Sequence, residues 1–455
     1  MVCSVRDSVS NDTVALPLAQ IMRLTAQHVQ AVLAGRSLSV CLEQTPPESR
    51  AAVQAHDFYV LRQLGWAQEV CALLVPKRPK KPLLYAHLLH ALVLLEAALR
   101  WGQGDALSRQ PGVPVYAPHT VVDQAVRAAG PLGLRFHKRF INGVLRNYQR
   151  ERKQLLTKIA RHPAAVWNFP PWWIALLQKH YPEEWRSILL HSNSPAPLTL
   201  RVNTRALTVD AYLQQLSQAE IPAYSPGQET VVLERLVPVR DLPGYEQGWF
   251  SVQDGHAQLA GHLLPLKAGD YVLDACTAPG GKAGHLLERF DLELVALDAN
   301  AERMQRVEDN LQRLNLLHEQ VHLQVGDARH PDEWWSGRPF DAILADVPCT
   351  SSGVVRRHPD IRWLRRPDDV AATAQLQAEI CSALWSVLRP GGHLLYVTCS
   401  IFPAEGKQQI EQFLQRHEDA VRLPAPGQLL PTPESAGQRG GDGFFYALLQ
   451  KREAR

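Results

Sequence analysis

Asp274-Ala275-Cys276-Thr277-Ala278-Pro279-Gly280-Gly281-Lys282 follows the apolar run Tyr271-Val272-Leu273 and precedes a helical pattern, so it leaves a strand and enters a helix. At such a junction an α/β sheet turns backbone N–H groups towards a ligand. Gly280 and Gly281 permit close approach. The spacing is neither the GxGxxG of dinucleotide sites nor the GxxxxGK[ST] of triphosphate sites, which leaves a nucleoside without a pyrophosphate. Asp298 comes 18 residues after Gly280 at the end of the next strand, placed to accept from a ribose diol. Gly326-Asp327 ends the third strand, where a carboxylate meets an adenine amino group. Three strand ends thus converge on one ligand.

Outward from this loop, short apolar runs alternate with helical patterns, as in a doubly wound α/β domain. The expected strands are Tyr271-Val272-Leu273, Leu294 to Leu297, Val321 to Val325, Phe340 to Ala345, His393 to Val397 and Phe444 to Leu449. Met304, Val307, Leu311 and Leu314 form one helical stripe, and Leu376, Ile380, Leu384 and Leu388 another. Before Phe250 the pattern differs. Leu16 to Leu156 shows apolar residues at three-to-four spacing and reads as an all-helical module. A Trp- and Pro-rich passage from Pro163 to Pro197 then leads into a small α+β connector with no chemistry of its own. The expected division is an all-α domain over 1–160, the connector over 161–249 and the α/β domain over 250–455. No internal repeat is visible, and the only low-complexity tract is the Gly-rich Gly437 to Gly443.

A chain of 455 residues is long enough for several cores. Hydrophobic residues at 45% and charged residues at 20% are those of a globular protein. Lys plus Arg, 48, nearly balance Asp plus Glu, 45, so local clusters must decide any nucleic-acid role. The seven cysteines form no CxxC pair and no zinc-like set, and no metal site is expected. Met1 to Asn11 lacks a basic segment followed by an apolar run, which with the odd cysteine count points to the cytoplasm. Leu83 to Leu99, the most apolar stretch, is 17 residues long and reads as a buried helix, with no membrane partner expected.

Asp346-Val347-Pro348-Cys349 and Tyr396-Val397-Thr398-Cys399-Ser400 each end a strand, which puts Cys349 and Cys399 on the edge that carries the nucleoside loop. A free cysteine is most often buried packing, so either one alone reads that way. Beside the loop they read as a reactive pair. C5 of a cytosine is a poor nucleophile, and methylation there needs a thiolate at C6 and a second group to help remove the C5 proton. Lys282 supplies positive charge to favour a thiolate, since an unperturbed Cys ionises near about 8.5. Asp346 can accept from a cytosine amino group. Cys276 is ambiguous, and Cys381 reads as core.

Two basic stretches suit RNA. Val354 to Arg366 holds Arg356, Arg357, His358, Arg362, Trp363, Arg365 and Arg366, matching the backbone-charge and stacking needs of single strands. Arg135 to Lys153 adds Arg139 and Arg146 on a helix that also carries Phe140. A solvated basic face over an apolar stripe is the alternative for both.

The blocks DACTAPGGK, DVPCTSSGV, RRHPDIRW and TCS resemble the signatures of the Sun/Nop2-type RNA cytosine-C5 methyltransferases. Phe140-Ile141-Asn142-Gly143-Val144-Leu145-Arg146 is similar to the NusB-like RNA-binding domain that precedes the catalytic part in some bacterial members. The resemblance implies a multidomain chain: a NusB-like all-α domain, the connector, and a Rossmann-like class I methyltransferase domain using S-adenosylmethionine. It implies Cys399 as nucleophile and Cys349 as the residue aiding release, with Lys282 and Asp346 in the catalytic set. The cofactor contacts it implies are Cys276, Thr277, Ala278, Pro279, Gly280, Gly281, Lys282, Asp298, Asp327 and Asp346. The implied partner is 16S ribosomal RNA, naked or in a partly assembled small subunit, and a monomer is expected. Thr277, Ala283 and Thr350 depart from the residues common in the family, which bears on positioning. Rival readings are a transfer-RNA or DNA methyltransferase of the same chemistry and a silent RNA-binding assembly factor. Intact Cys399, Cys349, Asp346 and glycine loop argue against silence.

Overall fold

The computed structural model describes residues 16–105, 112–433 and 440–453. Met1 to Asn11, Cys3 and the first part of the Gly-rich tract lie outside them. The chain divides into two compact units, one of Met1–Ile174 with Arg362–Leu364, the other of Ala175–Ile361 with Arg365–Arg455.

The first unit is all helical: α1 (Leu18–Leu33), α2 (Leu38–Glu43), α3 (Pro47–Arg62), α4 (Leu64–Leu74), α5 (Pro82–Gly102), α6 (Pro118–Ala128), α7 (Lys138–Ile159) and α8 (Pro163–Trp167). Proline opens α3, α5, α6 and α8, where a missing N–H costs nothing. The α5 helix has 21 residues, more than its apolar run suggested, and is long and apolar enough to cross a membrane. Every residue from Leu84 to Ala98 is buried within the unit, as in a central core helix. Two of its polar side chains find partners there. His87 is hydrogen-bonded to the Ala125 carbonyl at 2.9 Å, and Glu96 accepts from Tyr148 Oη at 2.5 Å and Arg152 Nε at 2.7 Å.

The chain continues through α9 (Pro171–His180) and α10 (Trp185–Ser192). A four-stranded antiparallel sheet follows, built from β1 (Leu198–Val202), β2 (Ala223–Gly227), β3 (Thr230–Leu233) and β4 (Phe250–Val252), with α11 (Val209–Gln218) after β1. Its order is β2-β3-β1-β4. Leu200, Val202, Tyr212, Leu216 and Phe250 form its core. Of the residues read as a connector, 161–174 fall in the first compact unit, while 175–249 lie in the second and build this sheet together with β4.

After α12 (Ala260–Leu263) comes the larger sheet, with β5 (Tyr271–Ala275), β6 (Glu293–Asp298), β7 (Val321–Val325), β8 (Phe340–Asp346), β9 (Leu388–Thr398), β10 (Ala420–Leu429) and β11 (Phe444–Lys451). Helices α13 (Gly281–Arg289), α14 (Ala301–Arg313), α15 (Pro331–Trp334), α16 (Ile361–Leu364), α17 (Pro367–Val387) and α18 (Lys407–Arg416) connect them. The order is β10-β11-β9-β8-β5-β6-β7. Strands β5 to β9 run parallel, and β11 pairs antiparallel with both β9 and β10. All six expected strands are present.

Alternation sorts the side chains to two faces, as the pleat requires. On β8, Ala342 and Leu344 join α13 and α14 in one core, while Ile343 and Ala345 join α17 and α18 in the other. The order of connection reverses between β5 and β8, and an open α/β sheet binds ligands at the carboxyl ends of strands on either side of that switch. The nucleoside loop ends β5, and Asp346 ends β8.

Candidate active site

The loop after β5 takes the shape its residues allow. Cys276 has φ 62° and Gly280 φ 89°, both left-handed, and only at Gly280 is the backbone free of a side-chain cost. Gly280 caps α13, whose first turn then faces the sheet edge. Thr277 is buried and its hydroxyl donates to Asp274 Oδ2 at 2.7 Å. Burial is the main force raising the Asp274 carboxyl, to about 7. Asp298 Oδ2 accepts from Ala278 N at 3.1 Å, and its Oδ1 accepts from Asn300 N at 3.1 Å. The end of β6 thus braces the loop itself.

A cavity of about 190 Å³ opens beside this loop. Cys276, Asp298, Gly326, Asp327 and Pro348 are among its lining, so the three strand ends named from sequence do meet in one space. Asp327 is ion-paired with Arg329 at 2.6 Å. Thr277, Ala278, Pro279, Gly280 and Gly281 do not line this cavity.

Next to it, Cys349 Sγ and Cys399 Sγ are 3.4 Å apart, within reach of a thiol hydrogen bond. Both are partly exposed. Lys282 reaches from α13 to Asp346 Oδ2 at 2.5 Å. Burial works against the Lys282 charge, but Asp346 outweighs it and holds the lysine above its ordinary value. For Cys399, the hydrogen bond with Cys349 is the largest influence, set against burial and the Asp346 charge. With help from Ser351 and Lys282 it brings this thiol below its usual pKa. Cys349 moves the other way, well above, through that same hydrogen bond, burial, and the negative charges of Cys399 and Glu405. Cys276 is raised by burial and by Asp346, Asp298 and Asp274, so it is the unreactive thiol of the loop. Cys381 is core, as expected, pushed up to about 12 by burial.

The basic run between the two cysteines is a correction. Arg356 is 2% exposed and Arg362 fully buried, so neither offers its guanidinium to solvent. Arg356 Nε donates to Asp442 Oδ1, and its Nη1 is bonded to His191 Nε2 at 2.8 Å. Arg357 donates to Asp442 Oδ2 at 2.7 Å, to Asp254 Oδ2 at 2.8 Å and to the Pro197 carbonyl at 2.9 Å. Burial disfavours the Asp254 charge, yet Arg357 and Arg356 prevail and hold it below the carboxylate range. Arg362 and Trp363 belong to the helical unit, where Arg362 lies 3.9 Å over the Phe169 ring and Trp363 Nε1 donates to the Leu61 carbonyl at 2.8 Å. Of the residues named for RNA in this run, His358 and Arg366 are exposed. Arg139 and Arg146, on α7, are exposed.

Two residues that sequence reasoning passed over complete the site. Arg201, on β1 of the small sheet, is fully buried, donates to both oxygens of Glu288 at 2.7 Å and reaches the Gly281 carbonyl at 2.7 Å. The connector therefore does contribute to the cofactor loop. Glu405, also fully buried, receives bonds from the residues that follow each cysteine. Neither carries a sequence signal beyond its residue type.

The fold and the strand-end site define the class, an α/β methyltransferase domain joined to a small antiparallel sheet. Residues 261–450 match the family described as 16S rRNA methyltransferase RsmB/F, and residues 169–240 match its ferredoxin-like domain. The Vibrio cholerae protein named ribosomal RNA small subunit methyltransferase B is 41% identical over 435 residues, covering 93% of this chain and 95% of that one. The crystal structure of PH0851 shares the fold with a TM-score of 0.74 at 22% identity, covering 96% of this chain and 100% of that one. NSun6 from Pyrococcus horikoshii, solved with SFG, has a TM-score of 0.55 at 20% identity and covers 63% of this chain and 99% of its own. The chain belongs to the RsmB/F family of 16S rRNA methyltransferases.

Proposed function

We propose that the chain transfers a methyl group from S-adenosylmethionine to C5 of one cytosine in 16S ribosomal RNA through a covalent bond between Cys399 Sγ and C6 of the base. The observation that carries this is the 3.4 Å approach of two thiols beside the nucleoside cavity, with Cys399 lowered and Cys349 raised. The residues around that cavity fit the methyl donor. Asp298 and Asp327 offer carboxylates for a ribose diol and an adenine amino group, and a relative of like fold was solved with SFG, an analogue of the donor. When bound, the donor supplies an electrophilic methyl group at C5.

Everything else falls to the chain. Cys399 thiolate adds to C6 and makes C5 an enamine carbon. Asp346, oriented by Lys282, accepts from the cytosine N4 amino group and so selects cytosine over uracil. Once C5 carries the methyl group, its proton must leave before Cys399 can be expelled, and Cys349 assists this release. The C5 proton passes to a base, the C5–H electron pair forms the C5–C6 double bond, and the C6–S pair returns to Cys399. A 16S fragment carrying 5-fluorocytidine at the target tests the scheme, since fluorine cannot depart as a proton does. The expected result is a stable adduct whose peptide map places the nucleotide on Cys399; a map on any other residue refutes it.

RNA is held by the helical unit, on the α7 face where Arg139 and Arg146 flank Phe140, 40% exposed, near Phe136, 82% exposed. A neighbouring cavity of about 580 Å³ is lined by Lys77, Lys80, Lys81, His137 and Phe140. Lysines for phosphates beside an aromatic ring suit a single strand. Charge reversal at both Arg139 and Arg146 is expected to weaken RNA binding by about tenfold or more and flatten the salt dependence by about two charges. Fluorescence anisotropy across a salt series reads both. Unchanged slope and affinity remove α7 from the interface.

A further inference from the structure

The two cysteine loops end on one buried carboxylate. Glu405 sits in the turn between β9 and α18 and is fully buried. Its Oε1 accepts from Thr350 N at 2.7 Å, from Thr373 Oγ1 at 2.7 Å and from Gln377 Nε2 at 3.3 Å. Its Oε2 accepts from Thr350 Oγ1 at 2.5 Å and from Ser400 Oγ at 2.6 Å. Thr350 follows Cys349, and Ser400 follows Cys399. Gln377 also donates to the Pro348 carbonyl at 2.9 Å, on the other side of Cys349. All five donors are neutral groups. A carboxylate taken from water without a cation is costly, and several donors at once offset part of that cost.

We propose that Glu405 is the positioning residue of the cysteine pair: its buried carboxylate clamps the Cys349 loop to the Cys399 loop through Thr350 and Ser400 and so holds the two sulfurs in contact. This rests on the catalytic reading of the pair given above. The clamp fixes the distance between the sulfurs, because each loop reaches Glu405 through the residue next to its cysteine. With the sulfurs in contact, their hydrogen bond is the largest influence on both thiols. Glu405 and Cys399 face Cys349 and disfavour its ionisation, while Lys282, Ser351 and Cys349 favour a charged Cys399 against Asp346 and burial. Cys349 is then the thiol that donates and Cys399 the sulfur that attacks. The same device explains a carboxylate where an apolar residue would fill the space without a desolvation cost.

The test separates charge from clamp in the full-length protein. Glu405→Ala removes the shared acceptor of five donors at once and is not informative. Glu405→Gln keeps an acceptor for Thr350 N and Gln377, and its new NH₂ can donate to the Thr350 and Ser400 hydroxyls. Iodoacetamide labelling of RNA-free protein across pH, read by peptide mass spectrometry, gives the rate at each cysteine. In the parent protein Cys399 is expected to label first and at lower pH. In Thr350→Val, near in shape and still facing the Glu405 charge, the clamp is weakened, so the Cys399-to-Cys349 ratio falls about tenfold, and kcat drops while the KM for RNA stays put. Glu405→Gln, still able to join both loops, is expected to keep the labelling order. A parental ratio or a parental kcat in Thr350→Val overturns the clamp, and a folded Glu405→Gln that loses more of the ratio than Thr350→Val gives the effect to the charge and overturns it too. If Glu405→Gln does not fold, Thr350→Val alone decides the clamp, and a parent protein that labels both cysteines alike overturns the contact between the sulfurs. The labelling needs no methyl transfer, so its outcome stands apart from the catalytic assignment, which falls if Cys399→Ala retains activity or the adduct maps to another residue.

Discussion

Cys399→Ala is expected to abolish methyl transfer, by on the order of 10⁴-fold or more, while leaving RNA affinity within about twofold. The thiolate is the group that turns C5 into a nucleophile, and among the described residues no other sulfur is set up to substitute for it. Cys276 is raised by burial and three carboxylates, and Cys349 is held as a thiol. Cys349→Ala has a different signature. Addition at C6 proceeds and elimination stalls, so a protein–RNA adduct that survives denaturing electrophoresis accumulates and methyl incorporation stops near one equivalent. Tritium transfer and gel mobility on the same samples read both variants. An adduct that needs Cys349 and tolerates loss of Cys399 would exchange the two roles, and methylation by Cys399→Ala would end the covalent scheme.

Asp442→Ala is expected to cost about 3–5 kcal/mol, among the largest losses for any single change away from the cores. The carboxylate receives the Nε of Arg356 and of Arg357, and Arg356 is 2% exposed. Asp254 remains, but at 3.5 Å from Arg356 Nη2 it cannot satisfy the buried guanidinium that Asp442 leaves. The unfolding transition of the catalytic unit should fall by on the order of 10 °C in calorimetry. A variant with parental stability would mean that these arginines are solvated and free to meet RNA. The paired reading makes a second forecast for the same experiment: the salt slope of RNA binding, measured below the transition, stays that of the parent.

Those two arginines show where the sequence stopped being legible. Charge density between Cys349 and Cys399 was visible, but its partners Asp254 and Asp442 lie roughly a hundred residues before it and some 85 after it, and no local pattern links them. Ion pairs over such separations look the same in a sequence as free surface charge. Periodicity, by contrast, is local, and it located the six strands, the loop after β5 and the two helical stripes, except that Leu388 begins β9 rather than ending a helix. The strand of the larger sheet that it missed, β10, contains Pro424 and Pro426 and has a register shift between Leu423 and Gly427. It lies at the edge of the sheet, the place where proline is tolerated. The cysteines fell between these cases. Each was an ordinary strand-end residue until both were placed on one edge, and their 3.4 Å approach depends on Glu405, which nothing in its neighbourhood singles out.

The helical unit is assembled from two separate stretches, since Arg362, Trp363 and Leu364 belong to it although they are encoded between the reactive cysteines. Trp363 and Leu364 pack against its core, and Trp363 ties to Leu61. Such a unit is not a detachable cassette. A gene fragment that ends at Ile174 lacks part of its own interior, and one that starts after it strands a tryptophan and a leucine without their partners. Recombination at this junction is therefore penalised on both sides, so the two units are bound to be inherited together.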